Sequence, residues 1–416
     1  MKRFIVLTLL FSPLFGIQEG TFAEYQDIQQ KNEEEKLQQS YQNPLLKDIE
    51  APTKQKELSF QQQIVDYFGT FVTSSPYPGV RATYEGNELM SNLSNVNKDL
   101  KILLELEEAT NFMQKERIPY PIHPRIFMSG DLEFTGAIQR NAGGHPESDL
   151  DLTGAELDFL VVMAPWIYGF IAIDYDNSVD SSLSNSRVVN SRIKGDSIFF
   201  TFGDLSYSPW YLTVGQTYLP FGQYTTYSAI QGPLTKILFR IITRDVTLGF
   251  YNDFMQVAAF VSKGDSHADS GNNVNNYGAN LGFHFHPGGF DGNIAVGLIR
   301  NIADSGGMQV VFGDPSNTEQ LHKVVPGIDV NFNFTWKHWN LIGEYNQALR
   351  PFDVRDASFS SNGTTFKGAR PCAFNIELAF SFNIFKKPSS IAYGYSRSWQ
   401  SLGFNVPKER MSLRAI

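Results

Sequence analysis

The C-terminal two thirds of the chain alternates between apolar and polar residues. From Ile328 to Trp336 every second residue is apolar, and Asp329, Asn331, Asn333 and Thr335 lie between. Residues 374–384 and 276–286 repeat the pattern. A period of two predicts strands with one apolar and one polar face, and nine to eleven residues suffice to cross a bilayer at a tilt. A soluble sandwich can alternate in the same way, so the connections must distinguish the two.

The connections between the predicted strands alternate in length. Fourteen strands are predicted, at 125–139, 150–163, 166–176, 197–207, 210–219, 246–252, 255–262, 276–286, 292–302, 324–336, 338–348, 373–385, 390–401 and 409–416. Short turns such as Ala164-Pro165 and Lys337 alternate with long polar loops such as 177–196 and 349–372. This layout predicts an all-β transmembrane barrel, antiparallel and up-and-down, in a bacterial outer membrane with its long loops outside the cell.

The composition agrees with a barrel rather than a bundle of membrane helices. Only 19% of residues are charged, 14% are aromatic, and mean hydropathy is -0.23. The longest apolar run, Phe159 to Ile173, is too short for a spanning helix and contains Pro165. Six aromatics beside predicted turns are expected to form an interfacial girdle: Trp166, Tyr168, Trp210, Tyr211, Trp336 and Trp339. A net charge of -9 argues against a nucleic-acid partner.

The N-terminal residues predict export. Lys2 and Arg3 precede an apolar stretch from Phe4 to Phe15, and Thr21-Phe22-Ala23 offers a cleavage site, so residues 1–23 are predicted to be a signal peptide. Residues 24–124 are predicted to form a periplasmic region that begins with a polar linker. The prolines from Ile118 to Pro124 end it, and the barrel is predicted to occupy 125–416.

The periplasmic region also contains an amphipathic helix, predicted at about 87–115. Its apolar residues recur at intervals of 4, 3, 4 and 3, at Leu89, Leu93, Val96, Leu100 and Leu103. This spacing is typical of a coiled-coil seam, which could pair with another helix or another subunit. A single helix lying against its own barrel would show the same spacing, and the sequence leaves both alternatives open.

Candidate functional residues lie on the polar strand faces and in one connection. The predicted lumen-lining set is Asp131, Glu133, Asn280, His284, His286, Asp329, Asn331, Asn333, Glu344, Asn346, Glu377 and Asn383. His284 and His286 could bind a metal, but they are more simply lumen lining, and no metal or cofactor is expected. Lys236, Arg240 and Arg244 are spaced for one helix face, and they predict a charged constriction if residues 223–245 fold into the lumen. An exposed basic loop or another strand is the alternative.

Enzyme chemistry is not expected from this sequence. The motifs GxSxG, HExxH, Walker A and GxGxxG are absent from suitable contexts. Cys372 is the only cysteine, which excludes an intramolecular disulfide.

Several segments resemble the LbtU-type siderophore porins, the legiobactin-receptor family of gamma-proteobacterial outer membranes. They are Thr73-Ser74-Ser75-Pro76-Tyr77-Pro78-Gly79-Val80-Arg81, Tyr84-Glu85-Gly86-Asn87-Glu88-Leu89, Asn95-Val96-Asn97-Lys98-Asp99-Leu100 and Val214-Gly215-Gln216-Thr217-Tyr218-Leu219-Pro220-Phe221-Gly222. The resemblance implies about 16 strands behind a periplasmic region with helical or coiled-coil character. It also implies uptake of a ferric siderophore without the plug domain and energy-coupling box of TonB-dependent receptors.

The expected partners follow from this resemblance and from the barrel. They are a ferric siderophore or other small solute, outer-membrane lipid, lipopolysaccharide and the barrel-assembly machinery, with a homo-oligomer left open. The alternative function is a general-diffusion or structural, adhesive barrel without a siderophore role. The chain departs from the family because only 14 strands are readable and Ile416 replaces a terminal aromatic residue. Either the chain is truncated by about a hairpin, which we favour, or it is a smaller barrel with an atypical end.

Overall fold

The computed structural model describes most of the predicted barrel and one N-terminal helix. The described residues are 3–6, 96–115, 124–140, 146–176, 192–227, 232–264, 266, 274–312, 321–360, 363–384 and 387–415. The predicted signal-peptide cleavage site, the polar linker and the terminal Ile416 lie outside them, as do Leu89 and Leu93 of the predicted seam.

Strands dominate the described chain. They are β1 Arg3–Val6, β2 Arg125–Arg140, β3 Pro146–Ala164, β4 Ile167–Asp176, β5 Arg192–Phe202, β6 Trp210–Tyr218, β7 Ile242–Tyr251, β8 Met255–Ser262, β9 Asn276–Phe285, β10 Phe290–Ile299, β11 Gly327–Trp336, β12 Trp339–Ala348, β13 Ser358–Phe359, β14 Lys367–Gly368, β15 Cys372–Ile384, β16 Lys387–Trp399 and β17 Glu409–Ala415. The helices are α1 Lys98–Lys115, α2 Leu234–Phe239 and α3 Gly306–Phe312, with 3-10 turns at Ile302–Asp304 and Leu402–Phe404.

All fourteen predicted strands are confirmed, and they pair in chain order. Apart from β13 and β14, which form a small hairpin of their own, every strand belongs to one antiparallel sheet with sequential neighbours. The bounds of β5 differ from the prediction of 197–207, because Phe202 already pairs with Leu212 and the turn begins at Gly203. The strand instead begins earlier, among polar residues that the sequence assigns to a loop.

One hydrogen bond shows that this sheet is strongly curved. β6 ends at Tyr218, yet the backbone N–H of Gln223 donates to Glu344 Oε1 in β12 at 2.8 Å. Five residues reach at most about 18 Å. In a flat sheet, six strand spacings of about 4.8 Å would separate β6 from β12 by about 29 Å. The sheet therefore curls, and the face that carries Glu344 is its concave, inner face.

The polarity of the two faces of the curled sheet is the reverse of that in a soluble protein, because the outer face is apolar and the inner face carries polar residues. Leu248 on the outer face of β7 is 48% exposed, whereas Thr247 beside it is 3% exposed and faces inward. The outer faces of the other strands likewise expose large apolar side chains, including Val214, Leu298 and Leu378. Exposing such a surface to water would cost free energy, whereas a bilayer accepts it. The fold is therefore an up-and-down transmembrane β-barrel of the outer membrane.

The predicted aromatic girdle is partly wrong. Trp166, Trp210, Trp336 and Trp339 are 45–57% exposed beside the turns, as expected for an interfacial belt. Tyr168 and Tyr211 are instead buried on the inner face. Tyr211 follows Trp210 directly, and successive side chains in a strand point to opposite faces.

The first and last described strands of the sheet each pair with one neighbouring strand. β1 pairs with Arg140 to Ala137 of β2, and β17 pairs with β16. No ladder between β17 and β1 or β2 occurs among the described residues. None of the described helices has the length and hydropathy required to cross a membrane.

Candidate functional site

The connection between β6 and β7 folds into the barrel. We call its described residues, 219–227 and 232–241, the inner loop. Its base is closed by the N–H of Leu219, which donates to the carbonyl of Ile241 at 3.0 Å. Phe221, Leu238 and Phe239 are fully buried in a cluster that also includes Met308 of α3. The inner loop is thus a packed element with an apolar core of its own.

Glu344 of β12 is the first anchor of the inner loop. Its Oε1 accepts hydrogen bonds from the backbone N–H groups of Gln223 at 2.8 Å and Tyr224 at 3.1 Å. Its Oε2 accepts from the Thr235 hydroxyl at 3.0 Å, at the start of α2. A buried carboxylate is costly unless it is hydrogen-bonded, and these three donors satisfy Glu344 while fixing both halves of the loop.

Glu377 of β15 is the second anchor. Its Oε1 accepts from the Thr226 hydroxyl at 2.6 Å, and its Oε2 accepts from the N–H of Tyr227 at 2.8 Å. Arg414 Nη1 of β17 lies 3.4 Å from Oε2 and forms an ion pair with it. The two carboxylates therefore hold consecutive parts of the loop against neighbouring strands, because β12 and β15 are paired.

The local sequence explains the sharp turn into the lumen. Gly222 has a φ of +89°, and a side chain there would meet Tyr224 at 2.5 Å and Glu344 Oε1 at 2.9 Å. Only glycine adopts this conformation without strain in so narrow a space. Burial, followed by the negative charge of Glu344, raises the pKa of the Tyr224 hydroxyl. The hydroxyl stays protonated and donates to the carbonyl of Phe221 at 2.6 Å.

Most of the predicted lumen-lining carboxylates and amides lie together on the inner wall. Asp329 accepts hydrogen bonds from the amides of Asn331 at 2.5 Å and Asn346 at 2.6 Å. Asn340 of β12 donates to Asn333 of β11 at 2.8 Å. The predicted residues that are buried on this face are Asn280, Asp329, Asn331, Asn333, Glu344, Asn346 and Glu377. Asp131 and Glu133 lie in β2 and Asn383 lies in β15, but their side chains are outside the described part of the structure.

The two predicted histidines do not share a partner. His284 Nδ1 is 3.1 Å from the amide nitrogen of Asn293, whereas His286 Nδ1 is 2.9 Å from Asp291 at the exposed end of the hairpin. Among the described residues, no group of three or more His, Cys, Asp or Glu is arranged to hold a metal ion.

The predicted basic helix face is wrong. α2 ends at Phe239, and Arg240 already has extended backbone, so Lys236 and Arg240 are not followed by another helical turn. Arg244 lies in β7, where it is exposed on the same side as Leu248. The spacing of the three residues matched a helix, but the ladder between β6 and β7 begins at Ile242 and imposes a strand. Arg240 instead lies over the Tyr218 ring, 4.4 Å from its centroid.

Two arginines outside the predicted set of site residues contact the inner loop. Arg410 Nη1 donates to the carbonyl of Gly232 at 2.8 Å, and Arg414 contacts Thr226 at 3.3 Å. Both lie in β17, where they alternate with Met411 and Leu413, which are exposed. The same alternation is visible in the sequence, and it predicts that the two arginines face the lumen.

Helix α1 also lies inside the barrel. Leu100, Ile102 and Leu103 are buried in one cluster with Phe170 and Phe199 of the inner wall. Val96 forms a bridge with Tyr218 of β6. Of the two alternatives, the described helix therefore lies against its own barrel. This position corrects its assignment to a separate periplasmic region, because the inner wall supplies the apolar partner that the leucine spacing requires.

Sequence comparisons identify related proteins in two bacterial genera. No family model matches the chain. A UPF0422 protein of Coxiella burnetii is 32% identical over 353 residues, which cover 83% of this chain and 72% of the relative. A UPF0422 protein of Legionella pneumophila (strain Paris) is 32% identical over 366 residues, covering 84% of this chain and 67% of the relative.

Solved structures with a similar chain course are outer-membrane proteins of low sequence identity. The Salmonella typhi OmpF complex with daunomycin matches with a TM-score of 0.46 and 13% identity over 71% of this chain and 87% of that one. The outer-membrane channel DcaP of Acinetobacter baumannii matches with a TM-score of 0.41 and 14% identity, over 69% and 85% of the two chains.

Proposed function

The chain belongs to the UPF0422 family, and we propose that its barrel is a passive channel that admits small polar solutes across the outer membrane. The observation that carries this proposal is the inner loop, which Glu344 and Glu377 hold against a polar inner wall. A loop fixed inside a barrel narrows its lumen, and a narrow polar lumen selects solutes by size and charge.

The proposed cargo is a ferric siderophore. The resemblance of residues 73–100 and 214–222 to the LbtU-type siderophore porins supports it. Two cations beside the inner loop also favour an anionic chelate, because Arg410 approaches the loop from β17 and Arg240 lies at its end. The charge of Arg414 is compensated by Glu377. Contacts with lipopolysaccharide and the barrel-assembly machinery, and a homo-oligomeric state, stay predictions.

Planar bilayers test the channel. The purified protein should give discrete conductance steps with a preference for anions, and the double variant Arg410→Gln/Arg414→Gln should shift that preference toward cations. Arg244→Gln is the matched control, because Arg244 lies on the outer side of β7. A protein that inserts but gives no steps would contradict the channel, and an unchanged anion preference would contradict the role of the arginines.

Uptake of a radiolabelled ferric carboxylate siderophore tests the cargo. We expect a deletion strain to accumulate less iron from the chelate than the same strain carrying the gene, at a chelate concentration that limits growth. Uptake of a neutral sugar by both strains is the control. Equal siderophore uptake with reduced sugar uptake would instead indicate a general-diffusion barrel.

A further inference from the structure

The inner wall of β4 to β6 carries an apolar area, and α1 covers it. Tyr168, Phe170, Phe199 and Tyr211 form an apolar cluster on β4 to β6, whereas the inner face of β11 is lined by aspartate and asparagine. Leu100, Ile102 and Leu103 complete this cluster from the helix. Exposing these apolar side chains to water in an open lumen would cost free energy, so this part of the wall favours contact with an apolar surface.

The N-terminal end of α1 is fixed by polar contacts. The Lys98 ammonium lies 3.3 Å from Glu156 and 3.9 Å from Asp158, and its side chain is 3% exposed. Asp99 Oδ2 accepts a hydrogen bond from the Thr213 hydroxyl at 2.7 Å. The Tyr168 hydroxyl donates to the Asp99 carbonyl. We call these six residues the latch; they tie the first helical turn to β3, β4 and β6.

The contacts change in character toward the other end of the helix. Burial, followed by the negative charges of Asp253 and Asp204 in the turns after β7 and β5, raises the pKa of the Glu107 carboxyl. Like charges repel, although solvent weakens the repulsion. The latch and the apolar cluster beside it supply the attractive contacts described above between α1 and the wall.

We propose that α1 is a resident plug of the lumen, held by the latch, and that its displacement from the wall opens a wider passage. This proposal gives a role to Lys98 and Asp99, the lysine and the aspartate that α1 buries against the wall. The proposal extends the proposed channel function. Its conductance test rests on that function, whereas the test of how accessible the wall is to a thiol reagent does not.

Thiol labelling tests whether the latch keeps the wall covered. In a Cys372→Ala background, Ala172→Cys places a thiol in the wall cluster beneath α1, and Ala379→Cys places one beneath Tyr227 of the inner loop. A water-soluble maleimide is the probe. Lys98→Met removes the latch cation, whereas Lys98→Arg keeps it. We expect Lys98→Met to raise the labelling rate at position 172 about tenfold or more, equivalent to about 1.4 kcal/mol, and to leave position 379 unchanged.

A reversible lock provides a second test that does not depend on the lysine variant. Val96 and Tyr218 are bridge partners, so their Cα atoms are within the range that a disulfide spans. With Cys372→Ala, the double variant Val96→Cys/Tyr218→Cys should show small conductance steps when oxidised and larger steps after reduction. The single variant Val96→Cys should not respond to the redox change.

The outcomes separate the plug from the channel. Labelling at position 172 that is equal in Lys98→Met and Lys98→Arg, or a lock without effect on conductance, would overturn the plug and leave the channel intact. Faster labelling at position 172 in a protein that never conducts would support the latch but would contradict both the channel and the wider passage. Faster labelling at both 172 and 379 would indicate general loosening and would also overturn the specific role of the latch.

Discussion

Two carboxylates on the inner wall hold the inner loop in place. Glu344 lies more than a hundred residues from Gln223 in the chain, yet it closes the sharpest turn of the inner loop. Glu344 belongs to the predicted lumen-lining set on the strand at 338–348, and the structure buries its side chain on the inner face. What it binds could not be predicted, because the donors belong to a connection whose path depends on the curvature of the whole sheet.

The anchor at Glu344 leads to a stability prediction. Glu344→Ala leaves two backbone N–H groups and the Thr235 hydroxyl buried without their acceptor, so we expect a loss of about 3 kcal/mol. Urea unfolding in detergent micelles measures it. Glu409→Ala is the control, since its side chain is 45% exposed and pairs with Arg397 at 3.6 Å, and such pairs contribute at most about 1 kcal/mol. Equal midpoints for the two variants would refute the anchoring role.

At the scale of secondary-structure elements, the period of the apolar residues was sufficient to predict the strands but not the helices. Each strand buries one face and exposes the other, so its local pattern is sufficient to predict it. The spacing of Lys236, Arg240 and Arg244 also matched a local helical pattern, but α2 has only six residues and β7 begins at Ile242. The leucine spacing of α1 predicted a partner surface correctly, and only the folded barrel shows that the partner is its own inner wall.

The outer faces of the strands are expected to respond to charge according to their depth in the bilayer. Leu248→Arg places a cation on the outer face of β7, and at the middle of a bilayer this costs about 2–4 kcal/mol. Leu402→Arg introduces the same change at a side chain that is 71% exposed in a turn between strands, where it should cost little. Folding yield into lipid vesicles measures both. A soluble protein would tolerate both variants equally.

At the scale of the whole molecule, the loops on one side pack together. Phe312 of α3, Phe352 and Phe404 come from three different connections, and their ring centroids lie 5.2–6.2 Å apart. The sequence treats these connections as long polar loops. Their apolar residues are too widely spaced in the chain for any local pattern, and they meet only because the barrel brings successive connections around one rim.

The orientation of the barrel is testable with single cysteines in a Cys372→Ala background. Val354 is exposed in the long loop after β12, and Phe254 is exposed in the short turn after β7. A membrane-impermeant thiol reagent should label Val354→Cys in intact cells and should label Phe254→Cys only after the outer membrane is permeabilised. Labelling of both in intact cells, with the periplasm shown to be sealed, would contradict the expected orientation of the long loops.

The sequence by itself determined the strands, their two faces and the membrane class, because these follow from contacts between neighbours in the chain and from the polarity of each face. The tertiary structure decided what fills the lumen. Glu344, Glu377 and the latch act on partners far away in sequence, and only the curvature of the sheet brings those partners within hydrogen-bonding distance. A pattern with a period of two records the side that a residue faces, but it carries no information about what lies opposite.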